Sequence, residues 1–355
     1  MSKDMSIEQI RKHIDRIDSK ILNLLSSRME LALMVKKFKK QVQDKEREEQ
    51  LLERMKTNAT KLVNYEFIER LYREILKESK SVQKMDFQVI AFQGEHGAYG
   101  ELACKAWDED LVPVTCRGFP EVFEGVSTGL YDYGIVPVEN TLGGVVGDVN
   151  ELLIHTDLHV VGAIEIPIHH CLLTMPGADH REIRYVYSHP QALSQCRHFL
   201  ARNKLEPHPY PDTAGAAKML AEETPRMSAA IAGEAAARLY HLEIIKEDIQ
   251  DLERNRTRFV ILSRDKGKGE GNKCSVLFST EHKAGTLFSV LEVFAAEHIN
   301  LTRIESIPNE PGNYAFFLDF MGSTRDEKVI KAMERVQTMT KDFRLMGCYK
   351  ERTIA

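Results

Sequence analysis

The stretch IEQIRKHIDRIDSKILNLLSSRMELALMVKKFKKQV, residues 7–42, places a β-branched apolar residue at every seventh position with one exception: Ile7, Ile14, Ile21, Arg28, Val35, Val42. Heptad-spaced positions on a helix face a partner helix, so Arg28 stands where an aliphatic side chain belongs. A guanidinium there without an anion is costly, which points to a negatively charged ligand in the seam. The alternatives are the end of a coiled-coil contact or a pair with Glu30.

Ile10, Ile14, Ile17, Ile21, Leu24, Leu31, Val35 and Phe38 keep a three-four spacing. They predict one helix from about Ser6 to Lys40, roughly 50 Å long. Asp44, Arg47 and Glu48 fall at i, i+3 and i+4 on one face of a second helix, and Ser79 and Gln83 share a face of a third beginning near Tyr65.

Arg11, Arg28, Lys39, Asp44, Glu48, Ser79 and Gln83 resemble, type for type and in order, the substrate-binding set of the all-helical chorismate mutases. The resemblance covers residues 6 to about 85, with a short connection between Lys39 and Asp44. It implies a one-molecule pericyclic rearrangement of chorismate to prephenate. Arg28 and Arg11 would clamp the two carboxylates with help from Ser79, fixing a near-attack conformer. Lys39 and Gln83 would donate to the ether oxygen as its bond to carbon breaks. Asp44 and Glu48 would accept from the ring hydroxyl, with Arg47 holding those carboxylates. Along a helix axis Arg28 and Lys39 are about 16 Å apart, within reach of one small dianion, but Arg11 lies about 25 Å from Arg28. Arg11 is therefore expected at a site built mainly on a partner chain, in an intertwined homodimer.

At 355 residues and 43% hydrophobic content, the chain is long enough for two or three cores. The formal net charge is −5, yet residues 1–86 hold 20 Lys/Arg against 15 Asp/Glu. A mildly positive helical segment suits a dianionic substrate, as do ordinary surface lysines. Basic residues alternate with acids, so no nucleic-acid partner is expected. Six cysteines stand singly, without metal or redox spacing, which fits a reducing cytoplasm. The amino terminus has no apolar run of signal or membrane-span length, so no membrane association is expected. His155 and His159 are four apart without a third ligand, and neither metal nor cofactor is expected.

Two seams divide the chain. Near Lys80 to Asp86 helical patterning gives way to the strand-like Phe87-Gln-Val-Ile-Ala-Phe92, and Lys266-Gly-Lys-Gly-Glu-Gly-Asn272 is a flexible polar connector. The expected domains are residues 1–85, 86–265 and 272–352. In the middle one, strands are predicted at Gly134–Val138, Val160–Ile166, Tyr185–Ser188 and Phe259–Leu262. Helices are predicted at Tyr99–Ala106, Pro120–Thr128, Gln191–Asn203, Ala214–Glu222 and Ala232–Tyr240. The alternation argues an α/β architecture with ligand groups in loops after strands.

Those loops carry specific strings. Val136-Pro-Val-Glu-Asn-Thr141 precedes Gly143, Gly144 and Gly147; Tyr187-Ser-His-Pro-Gln191 opens a helix; Asp212-Thr213 caps the next; Asn255-Arg-Thr-Arg-Phe259 runs into the last strand. Singly, Ser188 and Thr213 read as N-caps and Glu139 as a loop salt bridge. Together they resemble the catalytic domain of prephenate dehydratases across roughly residues 87–264, with Thr257-Arg258-Phe259 the most specific match. That family's fold is similar to the two-lobed type-2 periplasmic binding proteins. The resemblance implies that prephenate loses a carboxylate and its ring hydroxyl together, with Thr257 donating to the departing hydroxyl. Asn140, Thr141, Ser188, Gln191 and Thr213 would serve the substrate oxygens, several from helix starts. Glu139 and Glu234 stand as acid or structural groups.

Residues 273–350 read strand, helix, strand, strand, helix, strand: Cys274–Thr280, Ala284–His298, Leu301–Ile307, Tyr314–Phe320, Asp326–Thr340 and Arg344–Tyr349. This order matches the α+β ferredoxin-like ACT fold. Gly285, Thr286 and Leu287, with Asn300, Leu301, Glu305 and Ser306, resemble phenylalanine-binding segments of dehydratase regulatory domains. Thr286 replaces the usual alanine and Ile307 the usual arginine; a purely structural dimerisation module is the alternative. The expected whole is a multidomain, bifunctional mutase-dehydratase making phenylpyruvate from chorismate, inhibited by L-phenylalanine and assembled as a homodimer or higher homo-oligomer. Two alternatives stand beside it: arogenate dehydration, and a middle domain that only senses an aromatic acid.

Overall fold

A computed structural model describes residues 7–38, 45–267, 270–281, 283–310 and 313–354. The chain forms two compact units, Met1–Gln88 and Val89–Ala355. Among the described residues no helix is long and apolar enough to cross a membrane, and no cluster of His, Cys, Asp and Glu is arranged to hold a metal.

The first unit is three helices: α1 (Ile7–Phe38), α2 (Lys45–Lys56) and α3 (Tyr65–Lys84). Glu8 at the start of α1 and Lys36 and Lys37 at its end complement the helix dipole. Asn64 caps α3 by accepting from Phe67 N at 2.9 Å. Ala32, Leu33, Leu52 and Ile68 are buried where α1 and α2 meet α3. The heptad face of α1 is not: Ile14 is 50% exposed, Ile17 56%, Ile21 50% and Leu24 71%. The predicted single long helix is thus present, with its apolar seam open in the single chain.

The second unit begins with β1 (Val89–Gln93), α4 (Tyr99–Trp107), β2 (Val112–Cys116), α5 (Phe119–Thr128), β3 (Tyr133–Asn140), β4 (Gly144–Val145), α6 (Gly147–His155) and β5 (His159–Pro167). The chain then crosses to a second lobe: β6 (Cys171–Thr174), β7 (Tyr185–Ser188), α7 (Pro190–Gln195), α8 (Arg197–Arg202), β8 (Glu206–Pro209), α9 (Thr213–Glu223), β9 (Ser228–Ala232), α10 (Glu234–Tyr240) and β10 (Glu243–Lys246). It returns as β11 (Arg256–Ser263), which lies antiparallel between β3 and β5. The second lobe's sheet runs β10-β6-β9-β7-β8. The buried β1 and the parallel pairs β1–β2 and β1–β3 explain the unbroken apolar run at 89–92.

Three expectations need correction here. The helix predicted over Gln191–Asn203 is two short helices interrupted at Cys196. The helix predicted from Ala232 starts at Glu234, because Ser228–Ala232 is a fully buried strand of small residues. The N-caps are His189 and Asp212, which accept from Gln191 N and Gly215 N, and not Ser188 and Thr213.

The C-terminal sheet comprises β12 (Lys273–Thr280), β13 (Leu301–Glu310), β14 (Asn313–Met321) and β15 (Lys341–Tyr349), ordered β13-β14-β12-β15 and all antiparallel, with α11 (Thr286–Ala296) and α12 (Glu327–Met339). This is the expected ferredoxin-like order. One further strand, β16 (Glu351–Thr353), leaves this sheet and pairs parallel with β5, extending the first lobe's sheet. Backbones approach closely there: a Cβ on Gly347 would fall 1.9 Å from the Val160 carbonyl oxygen.

Candidate active sites

In the helical unit Arg28, half-buried on α1, donates through Nη1 to Ser79 Oγ on α3. Ser79 is buried and passes its own hydrogen to Ile75 O at 2.8 Å, so its oxygen is left to accept. Glu48 at the start of α2 accepts from Lys80 Nζ at 3.0 and 3.2 Å. Lys80 escaped sequence reading although it adjoins Ser79; an acid and a base on facing helices carry no local spacing. Gln83 is half-buried one turn beyond Ser79. Arg11 is exposed four turns and more from Arg28. Lys39 and Asp44 lie outside the described residues.

The second site is a cleft of about 790 Å³ between the lobes of the second unit. Strand alternation sorts its walls. Thr257 sits opposite Asn140 and Arg258 opposite Glu139 in the β3–β11 register, so the first pair faces the cleft and the second faces away. Thr257, Asn140, Gln191 and Thr213 line the cleft together. Asn140 Nδ2 lies 2.9 Å from Thr257 Oγ1. An amide nitrogen can only donate, so the threonine oxygen accepts and its single hydrogen is free to point at a ligand. A Cβ at Gly143 would meet Gln191 Nε2 at 1.8 Å, so glycine is what admits that side chain.

Other expected ligand groups are placed elsewhere. Ser188 is fully buried and donates to Ile231 O at 2.6 Å, outside the cleft lining. Thr141 Oγ1 bonds the Arg254 carbonyl at 2.8 Å and the Arg256 N–H at 2.9 Å, clamping the loop to the strand's start. Glu139 lies 3.6 Å from Arg258 and 3.9 Å from Arg303, on the opposite side of the sheet from Asn140. Glu234 pairs with Arg238 at 2.9 Å on an exposed helix face.

Behind Arg258 stands a buried network. Its guanidinium donates to Asp319 at 2.7 Å, to Tyr349 Oη at 3.0 Å and to Glu351, while Ser275 bonds both Asp319 and Tyr349. The residue after Thr257 is thus held by the C-terminal sheet. In that sheet Gly285 adopts φ +86° before α11, and Thr286 donates to carbonyls of its own loop, Glu281 and Lys283, each at 3.0 Å. Asn300 is exposed and Glu305 half-buried, 3.9 Å from Arg303.

No lysine or arginine is among the described residues lining the cleft. Its titratable groups are carboxyls, imidazoles and the Tyr99 phenol. Burial raises the Asp212 carboxyl above its ordinary range, against the Gly215 N–H that bonds it. Burial likewise holds His189 below the usual histidine value. Sequence reasoning missed His170, Gln195 and Asn255 as members of this site. Gln195 follows Gln191 by four residues on one helix, a spacing that would have found it; His170 offers no comparable signal.

Three family models match the chain in order: Chorismate mutase type II over residues 10–84, Prephenate dehydratase over residues 90–267, and ACT domain over residues 275–337. The bifunctional chorismate mutase/prephenate dehydratase of Escherichia coli (strain K12) is 32% identical over 381 residues, spanning 100% of this chain and 98% of that protein. An arogenate dehydratase/prephenate dehydratase of Arabidopsis thaliana is 38% identical, over 73% of this chain and 72% of that protein. Among solved structures, the prephenate dehydratase of Arthrobacter aurescens in complex with L-Phe is 28% identical with a TM-score of 0.68, covering 74% of this chain and 89% of that one. Similarity that runs through both catalytic segments of a two-activity relative, beginning to end, settles the matter: this chain belongs to the family of bifunctional chorismate mutase/prephenate dehydratases.

Proposed function

We propose how this enzyme divides its two reactions between its sites. Chorismate binds in the helical unit, where Arg28, steadied by Ser79, holds one carboxylate. Lys39 and Gln83 donate to the ether oxygen, and Asp44 and Glu48 receive the ring hydroxyl. Arg11 serves the site of a second copy, because its place on α1, about 25 Å from Arg28, puts it out of reach of the same molecule. The exposed seam at Ile14, Ile17, Ile21 and Leu24 supports that second copy as its cover.

Prephenate binds in the cleft. The ring carboxylate leaves as carbon dioxide, its bonding electrons aromatise the ring, and the ring hydroxyl departs, taking up one proton to become water. Thr257 directs a hydrogen bond at that hydroxyl and polarises it, the proton coming from solvent water; Gln191 and Thr213 receive the remaining substrate oxygens, while Asn140, its amide engaged within the protein, seats Thr257. No lysine or arginine among the described residues lines the cleft, which suits this elimination, since a carboxylate there without a fixed cationic partner gains little by staying charged. The observation that carries the reading is the Asn140–Thr257 contact of 2.9 Å at the cleft wall, where the threonine oxygen faces an amide donor and its hydroxyl lines the cleft.

The ACT segment takes L-phenylalanine and lowers dehydratase turnover, as the phenylalanine complex of the Arthrobacter aurescens relative suggests. Gly285, Thr286, Leu287, Asn300, Leu301, Glu305 and Ser306 form the effector site. The free, buried cysteines support a cytoplasmic location. We divide the chain into functional domains at residues 86 and 272. The similarity to the Arabidopsis thaliana enzyme favours arogenate as a second substrate of the same cleft. The deciding assay feeds purified protein chorismate, prephenate or arogenate, with and without phenylalanine, and follows products. Thr257→Ala should cut carbon dioxide release to a small measurable residue and spare the mutase; equal loss of both activities refutes the assignment. Mixing Arg11→Ala and Arg28→Ala chains should restore mutase activity in heterodimers, and no recovery refutes the shared site.

A further inference from the structure

The lobes of the second unit are joined by two stretches of chain, residues 168–170 and 247–255, which run side by side. Ile168 N donates to Asn255 O at 2.8 Å and Ile249 N to His170 O at 3.0 Å. Each stretch buries a polar side chain: His170 is 2% exposed and Asn255 1%. Between them stand Gln195 from α7 of the second lobe and Asn140 from β3 of the first.

The amide and imidazole orientations in this cluster follow from backbone N–H groups that can only donate. Asn140 Oδ1 accepts the backbone N–H of Leu142 at 3.0 Å and of Gly143 at 2.7 Å, so that end of the amide is oxygen. The Gln195 atom 3.0 Å from it must then be the nitrogen. Gln195 therefore turns its carbonyl oxygen to His170 Nε2 at 2.8 Å and to Asn255 Nδ2 at 3.0 Å. A carbonyl only accepts, so His170 carries its hydrogen on Nε2 and leaves Nδ1 facing Tyr99 Oη at 3.0 Å. Donation runs from His170 to Gln195 to Asn140, whose two Nδ2 hydrogens face Asn255 Oδ1 at 2.8 Å and Arg256 O and Thr257 Oγ1 each at 2.9 Å, so the amide is seated beside the threonine hydroxyl. Burial, opposed in part by the Gln195 bond, holds the imidazole neutral by lowering its pKa to about 4, so this tautomer persists at neutral pH.

We propose that His170 is a positioning residue for dehydration: from the junction of the two lobes it fixes Gln195, and through Asn140 it holds the Thr257 hydroxyl with its hydrogen directed at the substrate. The inference rests on the reading of Thr257 as the donor to the departing hydroxyl. Since Gln195 and Asn140 belong to different lobes, the relay is complete only while the lobes keep this orientation, and the threonine is set by the same geometry that encloses prephenate.

The test measures kcat and KM for prephenate dehydration, mutase turnover as an internal standard, and the melting temperature. His170→Leu, His170→Gln and His170→Asn are made in the wild-type and Thr257→Val backgrounds. Losing one donor of a buried relay should lower kcat about tenfold with KM unchanged. His170→Gln, whose amide reaches the Nε2 position, should recover most of it, and His170→Asn should not. In the Thr257→Val background His170→Leu should cost less than about twofold, because two residues acting through one hydroxyl are not additive. A full tenfold loss in that background, or wild-type kcat in His170→Leu, overturns the proposal. If His170→Leu does not fold, equal kcat for the Asn and Gln variants overturns it instead. Undiminished turnover in Thr257→Val alone removes the underlying reading, a result separable from every outcome at His170.

Discussion

In the helical unit Ile14, Ile17, Ile21 and Leu24 lie open to solvent and Arg28 reaches Ser79 across a half-buried seam. In the cleft unit His170, Gln195, Asn255 and Asn140 are buried and Thr257 half-buried beside them, and each engages another of the same chain. An apolar helix face is covered by whatever second helix is available, so a site built on one can be shared between copies. A buried polar cluster has no such freedom, because every donor left without an acceptor costs about 1–3 kcal/mol. The mutase site should therefore depend on assembly, and the dehydratase site on the internal geometry of one polypeptide.

The sharpest way to break this contrast is to charge the open seam. Ile14→Asp with Ile21→Asp should separate the copies and leave the folded chain intact, since neither position is buried in the single chain. Each aspartate buried at an interface costs roughly 2–4 kcal/mol, and 1.4 kcal/mol is tenfold in association. Mutase turnover at micromolar protein should fall about a hundredfold or more while prephenate dehydration per chain holds within about twofold. Sedimentation beside both assays checks it. Retained mutase activity in a monomeric variant would end the idea of a shared site.

A second, smaller effect sharpens the other side of the comparison. His170 has its pKa lowered to about 4 by burial, below the ordinary 6.5 it regains on unfolding. Between those values the unfolded chain binds a proton that the folded chain does not, so acidification favours unfolding. Its share of stability is complete above pH 6.5 and falls by on the order of 3 kcal/mol toward pH 4. His159 and His189, also lowered by burial, act in the same direction. The neighbouring His169 faces Asp248, Nδ1 to Oδ1 at 2.6 Å. The single tryptophan, Trp107, belongs to the cleft unit, so its fluorescence in denaturant reports on that unit. His170→Gln should flatten the decline between pH 7 and 5; an unchanged slope would mean that the imidazole is not held neutral.

The helices of the first unit were legible because a heptad pattern is a local property, and Ile7–Phe38 falls within two residues of the predicted span. Strands were legible where aromatic and β-branched residues alternate, as at Tyr185-Val-Tyr187. The fully buried Ser228–Ala232 was not, because alanine and serine carry helical or turn preferences and only tertiary burial makes them a strand. At the cleft, Asn140 and Thr257 stood in quotable strings. Glu139 was drawn in with Asn140, although neighbours on a strand face opposite sides. His170 was invisible because its partners lie 25 residues away at Gln195 and, through it, 55 further at Asn140. Arg258 stood in the quoted triplet without a role, because its anchors, Asp319, Tyr349 and Glu351, come from the far end of the chain.

The smallest effect separates two serine roles that one sequence string left joined. Ser188 ends strand β7 just before a helix, a place where a hydroxyl is expected to meet an anion, yet its Oγ is fully buried and donates to Ile231 O at 2.6 Å. The strand pair β7–β9 places that carbonyl beside it, so the bond ties two strands of the second lobe together. Ser188→Ala removes one neutral hydrogen bond at nearly constant volume and should lower stability by about 1 kcal/mol. With the hydroxyl outside the cleft, kcat and KM for prephenate should stay within about twofold, whereas Gln191→Ala, at a lining position, should raise KM. A tenfold loss of turnover in Ser188→Ala at full thermal stability would put that hydroxyl back among the substrate's partners, and would mean that the lobe rearranges around bound prephenate more than a preassembled polar cluster allows.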